Sequence, residues 1–293
     1  MLHDLLTETS HPASAEIDSL PTREMLGIIN AADQEVALSV ERELGHIAEA
    51  VDAIAERLEK GGRLFYLGAG TSGRLGVLDA SECPPTFNTS PELVQGVIAG
   101  GDYALRKSVE KAEDDPEQGS GDLRSRGFSA ADALVGIAAS GRTPYVLGGL
   151  TYAQSIGALT IGLSCTPNSE VAQASQIAIT PVPGPEIVTG STRMRAGTAT
   201  KLVLNMLSTG VMIRLGYVYG NLMVNVQPTN EKLADRARRI IASITHVPYD
   251  EASRLLAEAG SVRVAILMRE KSLSRQEAEE SLTAAKGRLR LAR

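Results

Sequence analysis

Hydrophobic residues recur at helical intervals in the first part of the chain. Between Thr22 and Lys60 they fall every three or four positions, which predicts two consecutive helices or one long helix. Gly61 and Gly62 follow this stretch, and glycine is typical of a helix end because it readily adopts left-handed backbone conformations. We therefore predict a helical N-terminal region and place it at residues 1–54.

From residue 63 onwards the pattern changes, because short apolar runs alternate with helical stretches. The runs predict five strands, at 63–67, 93–99, 133–138, 159–164 and 176–182. Helices are predicted between the strands, at 76–81, 103–112, 145–156 and near 171. A long apolar helix is predicted after the last strand, at 194–215. This alternation indicates an α/β fold with a parallel sheet flanked by helices, which we assign to residues 55–225.

The last part of the chain, residues 226–293, contains no strand pattern and is predicted to form a small, all-helical C-terminal region. We predict three short helices after about Tyr249. Ser274 followed by Glu277 has the residue types and spacing of a capping box, which predicts the start of the last helix.

Composition restricts the kinds of partner. With 43% hydrophobic residues among 293, the chain is not expected to be disordered, and its net charge of −6 disfavours nucleic acid and anionic membranes as partners. The chain has 28 glycines but only three Phe, seven Tyr and no Trp, so recognition by ring stacking is not expected. The four histidines lack metal-ligand spacing, so no metal site is predicted.

Three features predict a cytoplasmic protein. The N-terminus lacks the apolar core of a signal peptide, and no apolar run reaches the length needed to cross a bilayer. The two cysteines, Cys83 and Cys165, are far apart in the sequence and are expected to be reduced thiols.

Two glycine-rich loops follow predicted strands: the first glycine loop (residues 68–74) and the second glycine loop (residues 138–144). Ligands of α/β proteins bind at the carboxyl ends of strands, where glycine allows close backbone approach and helix N-termini attract anions. The loops therefore predict a phosphate site, with Arg142 as a charge partner and the following glycine and hydroxyl residues as contacts: Gly70, Thr71, Ser72, Ser140, Gly141 and Thr143.

The first glycine loop also matches the GxGxxG pattern of dinucleotide-binding proteins. That pattern requires an acidic residue about 20 positions later, at the end of the second strand. Glu92 has the spacing but precedes the predicted strand, whereas Asp102 follows the strand but lies too far along the chain. A nicotinamide cofactor would not explain the second glycine loop, so none is expected.

A third segment, residues 184–193, is rich in turn-forming and hydroxyl residues and precedes the long apolar helix. In one interpretation Glu186 and Ser191 lie in the wall of the binding site. In the other, Ser191 or Thr192 caps the helix. Both interpretations stay open at the level of the sequence.

Two glutamates stand in unusual settings. Glu82 is followed by Cys83 and two prolines, which are expected to stop the helix and hold the carboxylate near the first glycine loop. Glu113 begins a run of three acidic residues after the predicted helix at 103–112. A solvated surface charge is the alternative interpretation of each glutamate.

Longer stretches of the chain resemble the N-acetylmuramic acid 6-phosphate etherase family, which belongs to the sugar isomerase (SIS) superfamily. The resemblance lies in residues 67–87, 112–115, 135–146, 184–209 and 220–237. It is strong from about residue 7 to 240 and loose in the tail. The glucokinase regulatory protein family has related motifs, but its members carry two SIS domains in a longer chain, so length favours the etherases.

The resemblance implies a SIS-type sheet and a lyase that cleaves the D-lactyl ether of N-acetylmuramic acid 6-phosphate. The products would be N-acetylglucosamine 6-phosphate and D-lactate. The family's paired acids fall on Glu82, as proton donor to lactate, and on Glu113, which would handle the C2 proton or the water. Such proton transfers need no metal or redox cofactor. The resemblance also implies a homodimer.

The sequence departs from the family pattern at three positions. Ser10 stands where an arginine is usual, Lys111 where glycine is usual, and Arg195 where lysine is usual. Two alternatives to the etherase remain: a non-catalytic sugar-phosphate-binding regulatory protein, and a SIS sugar-phosphate isomerase. The paired acids favour catalysis, because a sensor has no need of them.

Overall fold

A computed structural model describes residues 6–228 and 230–293 of the chain, apart from the side chains of Leu6 and Glu110. Among these residues it contains one parallel sheet with the strand order β2-β1-β3-β4-β5. The strands are β1 (Leu64–Gly68), β2 (Val94–Ile98), β3 (Ala133–Ile137), β4 (Leu159–Leu163) and β5 (Ile177–Ile179). Every residue of β1, β3 and β4 is buried, as expected for central strands covered on both faces. The predicted α/β fold is confirmed.

Seven helices accompany the sheet: α1 (Thr22–Glu41), α2 (Leu44–Glu59), α3 (Gly70–Phe87), α4 (Pro116–Ser125), α5 (Pro144–Ser155), α6 (Glu170–Gln173) and α7 (Arg195–Arg214). The helix predicted at 103–112 is wrong. The structure has two 3₁₀ turns there, Asp102–Leu105 and Glu110–Glu113, and Val109 between them has non-helical backbone angles (φ −128°, ψ 77°). Further 3₁₀ turns precede α1, at Leu6–Glu8, Pro12–Ser14 and Ile17–Ser19.

Helix α3 is longer than predicted. Pro84 and Pro85 lie inside it, so the expectation that these prolines stop the helix is wrong. A proline in a helix removes one backbone donor and crowds the preceding turn, and the helix ends two residues after Pro85. Asn88 then takes a left-handed conformation (φ 52°), and its N–H donates to the Pro84 carbonyl at 2.8 Å.

The order of the strands places both glycine loops at one edge of the sheet. The chain leaves β1 for β2 on one side and then crosses to β3 on the other side of β1. The register pairs Gly68 with Ile137, the last residues of β1 and β3. The carboxyl ends of these neighbouring strands form the topological switch point, where α/β proteins bind ligands.

The chain divides into two compact units. The first comprises the chain up to Ser81 together with Glu92–Ser208, and the second comprises Glu82–Pro91 together with Thr209–Arg293. The second unit contains α8 (Glu231–Thr245), α9 (Tyr249–Ala259), α10 (Val262–Lys271), α11 (Arg275–Ala284) and α12 (Leu289–Ala292). It therefore has four helices from Tyr249 onwards rather than the predicted three, the last being a single turn. In the part of the chain that is described, no helix has the length and apolar character to cross a membrane.

The predicted capping box at the start of α11 is confirmed. The Ser274 hydroxyl accepts from the Glu277 N–H at 3.3 Å, and the Glu277 carboxylate accepts from the Ser274 N–H at 2.8 Å. We expect Ser274→Ala to lower the free energy of unfolding by about 1 kcal/mol, measured by urea denaturation. Gln276→Ala, an exposed change in the same first turn, serves as the control. Equal losses in the two variants would contradict a capping role.

Candidate active site

The first glycine loop makes a tight turn from β1 into α3. A Cβ atom on Gly68 would lie 2.7 Å from the Gly73 backbone nitrogen, and one on Gly73 would lie 2.6 Å from the Gly68 carbonyl oxygen. Gly70 has a left-handed backbone (φ 54°), so this turn depends on glycine at three positions. Thr71 and Ser72 lie half-buried in the first turn of α3, beside N–H groups that a helix start leaves for an anion.

The second glycine loop leads from β3 into α5. Gly141 has φ 74°, and a Cβ atom there would overlap with the side chain of Ser169. Thr143 occupies the N-cap position of α5 and Pro144 its first turn, but the Thr143 hydroxyl makes no capping hydrogen bond. The loop thus presents its hydroxyl groups without using them to hold the helix start.

The hydroxyl groups at this edge of the sheet fall into two sets. Those after β4 are engaged: the Ser164 and Ser169 hydroxyls lie 2.9 Å apart, and Thr166 donates to the Ala139 carbonyl at 3.3 Å. The hydroxyls of the two glycine loops have no hydrogen-bond partner within the described residues; they belong to Thr71, Ser72, Ser140 and Thr143. A ligand with several acceptor oxygens would find four donors at adjacent strand ends.

Arg142 lies at the rim of these loops. Its guanidinium Nη2 is 3.7 Å from the Glu170 carboxylate, and both side chains are substantially exposed. Its predicted role as a charge partner for phosphate remains a prediction.

Glu186 caps helix α7. Its carboxylate is buried and accepts from the backbone N–H groups of Arg195 and Ala196, each at 2.9 Å. The expectation that Ser191 or Thr192 caps this helix is therefore wrong, because α7 begins at Arg195 and Glu186 reaches its first amides. Ser191 lies half-buried in the preceding turn, and its place in the binding-site wall stays a prediction.

Arg195 is a buried cation. Its Nη1 donates to the Pro185 carbonyl at 2.9 Å and its Nη2 to the Glu35 carboxylate of α1 at 3.2 Å. A Cβ atom on Gly197, in the same first turn of α7, would lie 3.5 Å from the Thr71 methyl group. The start of α7 therefore adjoins the first glycine loop, and Arg195 anchors it to α1.

The N-terminal arm, residues 6–19, contacts the third segment. The Gly190 N–H donates to the Thr7 carbonyl at 3.1 Å, and the Thr189 hydroxyl donates to Ser10 at 3.2 Å. Ser10, where the family pattern has arginine, thus lies on the segment that leads into α7.

The two candidate acids belong to different compact units. Glu82 is exposed and lies in the part of α3 that belongs to the second unit. In the same unit, the Asn225 side-chain amide donates to the Phe87 carbonyl at 2.5 Å and caps the end of α3. Glu113 is exposed at the end of the 3₁₀ turn Glu110–Glu113 in the first unit. Their action as a pair remains a prediction.

A cavity of about 570 Å³ lies between the end of β2 and α4, and residues that neighbour Glu113 in the sequence line it. Lys111, where the family pattern has glycine, lines it together with Asp115, Asp122 and Arg126. Away from this cavity, burial and the nearby Glu186 carboxylate raise the pKa of the Cys165 thiol to about 12, which keeps the thiol protonated near neutral pH.

One buried polar cluster was not predicted from the sequence. Asp79 of α3 accepts from the Tyr66 hydroxyl of β1 at 3.1 Å and from the Lys201 ammonium of α7 at 3.3 Å. Burial raises the pKa of Asp79 even though these partners oppose the shift. The available signal was an acidic residue between the apolar Leu78 and Ala80, but the sequence does not reveal which helix would supply the lysine.

The switch point and the two hydroxyl-bearing loops define an α/β domain of the SIS class. The family model of the glucokinase regulatory protein N-terminal SIS domain matches residues 46–154. A Bacteroides fragilis protein described as a phosphosugar isomerase involved in capsule formation has a similar fold (TM-score 0.51, 20% identity, 67% of this chain and 94% of that one).

Several relatives align with nearly the whole chain. Proteins named N-acetylmuramic acid 6-phosphate etherase from Rhodopirellula baltica and Photorhabdus laumondii are 57% and 56% identical to it. The alignments cover 98% and 96% of this chain, and 96% and 94% of the two relatives. The chain belongs to the N-acetylmuramic acid 6-phosphate etherase family.

Proposed function

We propose that this protein cleaves the D-lactyl ether of N-acetylmuramic acid 6-phosphate to N-acetylglucosamine 6-phosphate and D-lactate. The observation that carries the proposal is a set of four hydroxyls that have no hydrogen-bond partner among the described residues. Two glycine loops present them at the carboxyl ends of β1 and β3. Membership of the etherase family supplies the reaction. The 6-phosphate would accept hydrogen bonds from Thr71, Ser72, Ser140 and Thr143 and from the N–H groups at the start of α3.

The reaction follows from the chemistry of an open sugar chain. Opening the ring makes C1 an aldehyde, and the hydrogen on C2 then becomes acidic. A carboxylate base removes that proton, the C3–O bond breaks, and an acid protonates the departing lactate oxygen. Water then adds across the C2–C3 double bond of the unsaturated aldehyde, placing hydroxyl on C3 and hydrogen on C2, so the net reaction is hydrolysis of the ether.

Two carboxyl groups suffice for these proton transfers, provided that one is protonated and the other ionised. In the proposal Glu82 donates the proton to lactate, and Glu113 takes the C2 proton or activates the water. We also propose that the protein is a homodimer, as its family resemblance implies. Sedimentation velocity of the full chain measures its oligomeric state.

The decisive experiment incubates the purified protein with N-acetylmuramic acid 6-phosphate and measures D-lactate. Release of lactate in equimolar amounts with N-acetylglucosamine 6-phosphate is the expected result. Folded protein that binds the sugar phosphate without turnover would instead indicate a regulatory protein. Interconversion of aldose and ketose phosphates without lactate would indicate an isomerase.

A change at Ser140 tests the phosphate site. We expect Ser140→Ala to raise KM about tenfold and to change kcat by less than about twofold, because one hydrogen bond to a charged ligand is lost in ground state and transition state alike. Steady-state kinetics measures both constants. Ser155→Ala is the control, since its hydroxyl donates to the Tyr152 carbonyl at the far end of α5. An unchanged KM in Ser140→Ala would place the phosphate elsewhere.

A further inference from the structure

Helices α4 and α5 approach each other closely enough to require glycine on both. A Cβ atom on Gly119 of α4 would overlap with the Tyr145 carbonyl oxygen of α5. A Cβ atom on Gly148 of α5 would overlap with the Pro116 carbonyl oxygen at the start of α4. The separation of the two helices is therefore set by direct backbone contact at two points.

A buried hydrogen bond joins the same two helices. Tyr145 is fully buried in the first turn of α5, and its hydroxyl donates to the Asp122 carboxylate of α4 at 2.6 Å. Burial, together with the Asp122 carboxylate, raises the pKa of Tyr145 far above its ordinary value, so the phenol stays a neutral donor. A hydrogen bond from a neutral donor to a carboxylate is among the stronger kinds.

Each helix carries one part of the proposed site. Helix α5 begins directly after the second glycine loop, with Thr143 at its N-cap position. Helix α4 begins with Asp115 as its N-cap, two residues after Glu113, and the Asp115 carboxylate accepts from the Glu117 N–H at 2.9 Å. Helix α5 also packs against the 3₁₀ turn that ends at Glu113.

We infer that Tyr145, Asp122, Gly119 and Gly148 are positioning residues that fix the distance between the second glycine loop and Glu113. This inference rests on the proposed function, in which that loop holds the 6-phosphate and Glu113 takes the C2 proton or activates the water that adds at C3. The carbon chain between the 6-phosphate and the reacting C2 and C3 atoms limits their separation even in the open sugar, so the two parts of the site must be held within a matching distance. A displacement of about 1 Å in a catalytic group costs up to about 100-fold in rate.

The glycine contacts are tested by alanine substitution. Gly148→Ala and Gly119→Ala push α4 away from α5, and we expect kcat to fall by about 10- to 100-fold with little change in KM. Gly121→Ala is a matched control on α4, because nothing lies within 4 Å of a Cβ atom at that position. It is expected to leave both constants unchanged.

The hydrogen bond is tested by Tyr145→Phe, which keeps the ring and removes the donor. We expect kcat to fall about tenfold, because loss of this hydrogen bond lets α4 and α5 shift and displaces Glu113 from the second glycine loop by a fraction of an ångström. Calorimetric titration with N-acetylglucosamine 6-phosphate separates positioning from unfolding, because the stoichiometry reports the folded fraction and Kd reports the phosphate site. Both are expected to match the wild-type protein.

Several results would overturn the inference: wild-type kcat in Tyr145→Phe, a rise in Kd that accounts for the lost rate, or an equal loss of rate in Gly121→Ala. If the glycine variants do not fold, Tyr145→Phe decides alone. Wild-type protein that binds the sugar phosphate but releases no lactate contradicts the proposed function and this role with it. Wild-type protein that releases lactate while Tyr145→Phe is unaffected contradicts this role only.

Discussion

Replacing Glu82 with glutamine is expected to lower kcat by at least about 100-fold, the lower range for loss of a general acid. Glutamine has nearly the same shape but cannot donate a proton to the departing lactate oxygen. Glu82 is exposed on α3, so the substitution should leave folding unaffected. The rate of lactate release by purified Glu82→Gln tests the expected loss of kcat, and its thermal unfolding curve tests whether folding is unaffected.

Exchange of the C2 hydrogen of the substrate with solvent deuterium distinguishes the roles of the two glutamates. In D₂O, Glu82→Gln should still exchange the C2 hydrogen of the substrate, because the base is intact. Glu113→Gln should lose both exchange and lactate release if Glu113 takes the C2 proton, whereas exchange retained in this variant would assign Glu113 to the water. The exposed Glu279 of α11, which pairs with Arg275, offers a control that should retain full activity as Glu279→Gln. Near-wild-type lactate release by Glu82→Gln would assign proton donation to another group.

The strands were predictable because buried strand positions are occupied mainly by apolar residues, which the sequence shows directly. In β1, β3 and β4 every position is buried, so each consists of apolar residues and glycine, apart from Thr160 in β4. β5 is shorter than predicted, since beyond Ile179 the Thr180 N–H donates to the Glu43 carboxylate instead of another strand. That contact joins residues far apart in the sequence, and local patterning carries no signal for it.

The glycine loops were predictable for a related reason. Gly68, Gly73 and Gly141 lie where any side chain would overlap with neighbouring atoms, so the requirement for glycine shows in the sequence itself. The role of Glu186 was not predictable, because a hydroxyl residue nearer to the helix is the usual cap and only the folded chain brings this carboxylate to the α7 amides. Arg195 likewise reads as an ordinary charged residue until the fold buries it.

Of the substitutions proposed for this protein, we expect Asp132→Asn to have the largest effect on stability. Asp132 lies at the amino ends of the strands, opposite the glycine loops. It precedes the first residue of β3 and binds Arg63, which precedes the first residue of β1. Its carboxylate accepts from the Arg63 N–H and guanidinium, each at 2.8 Å, and from the Ser129 N–H at 2.8 Å. We expect Asp132→Asn to lower the free energy of unfolding by roughly 2–4 kcal/mol, since the side chain is buried while Arg63 stays partly in water.

The pH dependence identifies the carboxylate as the source of this stability. Burial raises the pKa of Asp132, but hydrogen bonds from Arg63 and Ser129 lower it more, so the pKa lies below its ordinary value. The contribution is therefore complete above the unfolded-state pKa of about 4 and is lost as pH falls through the lower pKa of the folded protein. In urea denaturation from pH 7 to pH 2.5, the difference between wild type and Asp132→Asn should be constant at first and shrink below about pH 4.

A matched change elsewhere and an activity measurement complete the test. Asp235→Asn removes an exposed carboxylate that pairs with Arg239 at 2.7 Å, and it should leave stability nearly unchanged. Asp132→Asn should keep wild-type KM and kcat at temperatures where it is folded, because the amino edge of the sheet holds β1 and β3 together while substrate binds at the carboxyl edge. A stability difference that stays constant down to pH 2.5 would show that side-chain packing, and not the ionised carboxylate, holds this edge.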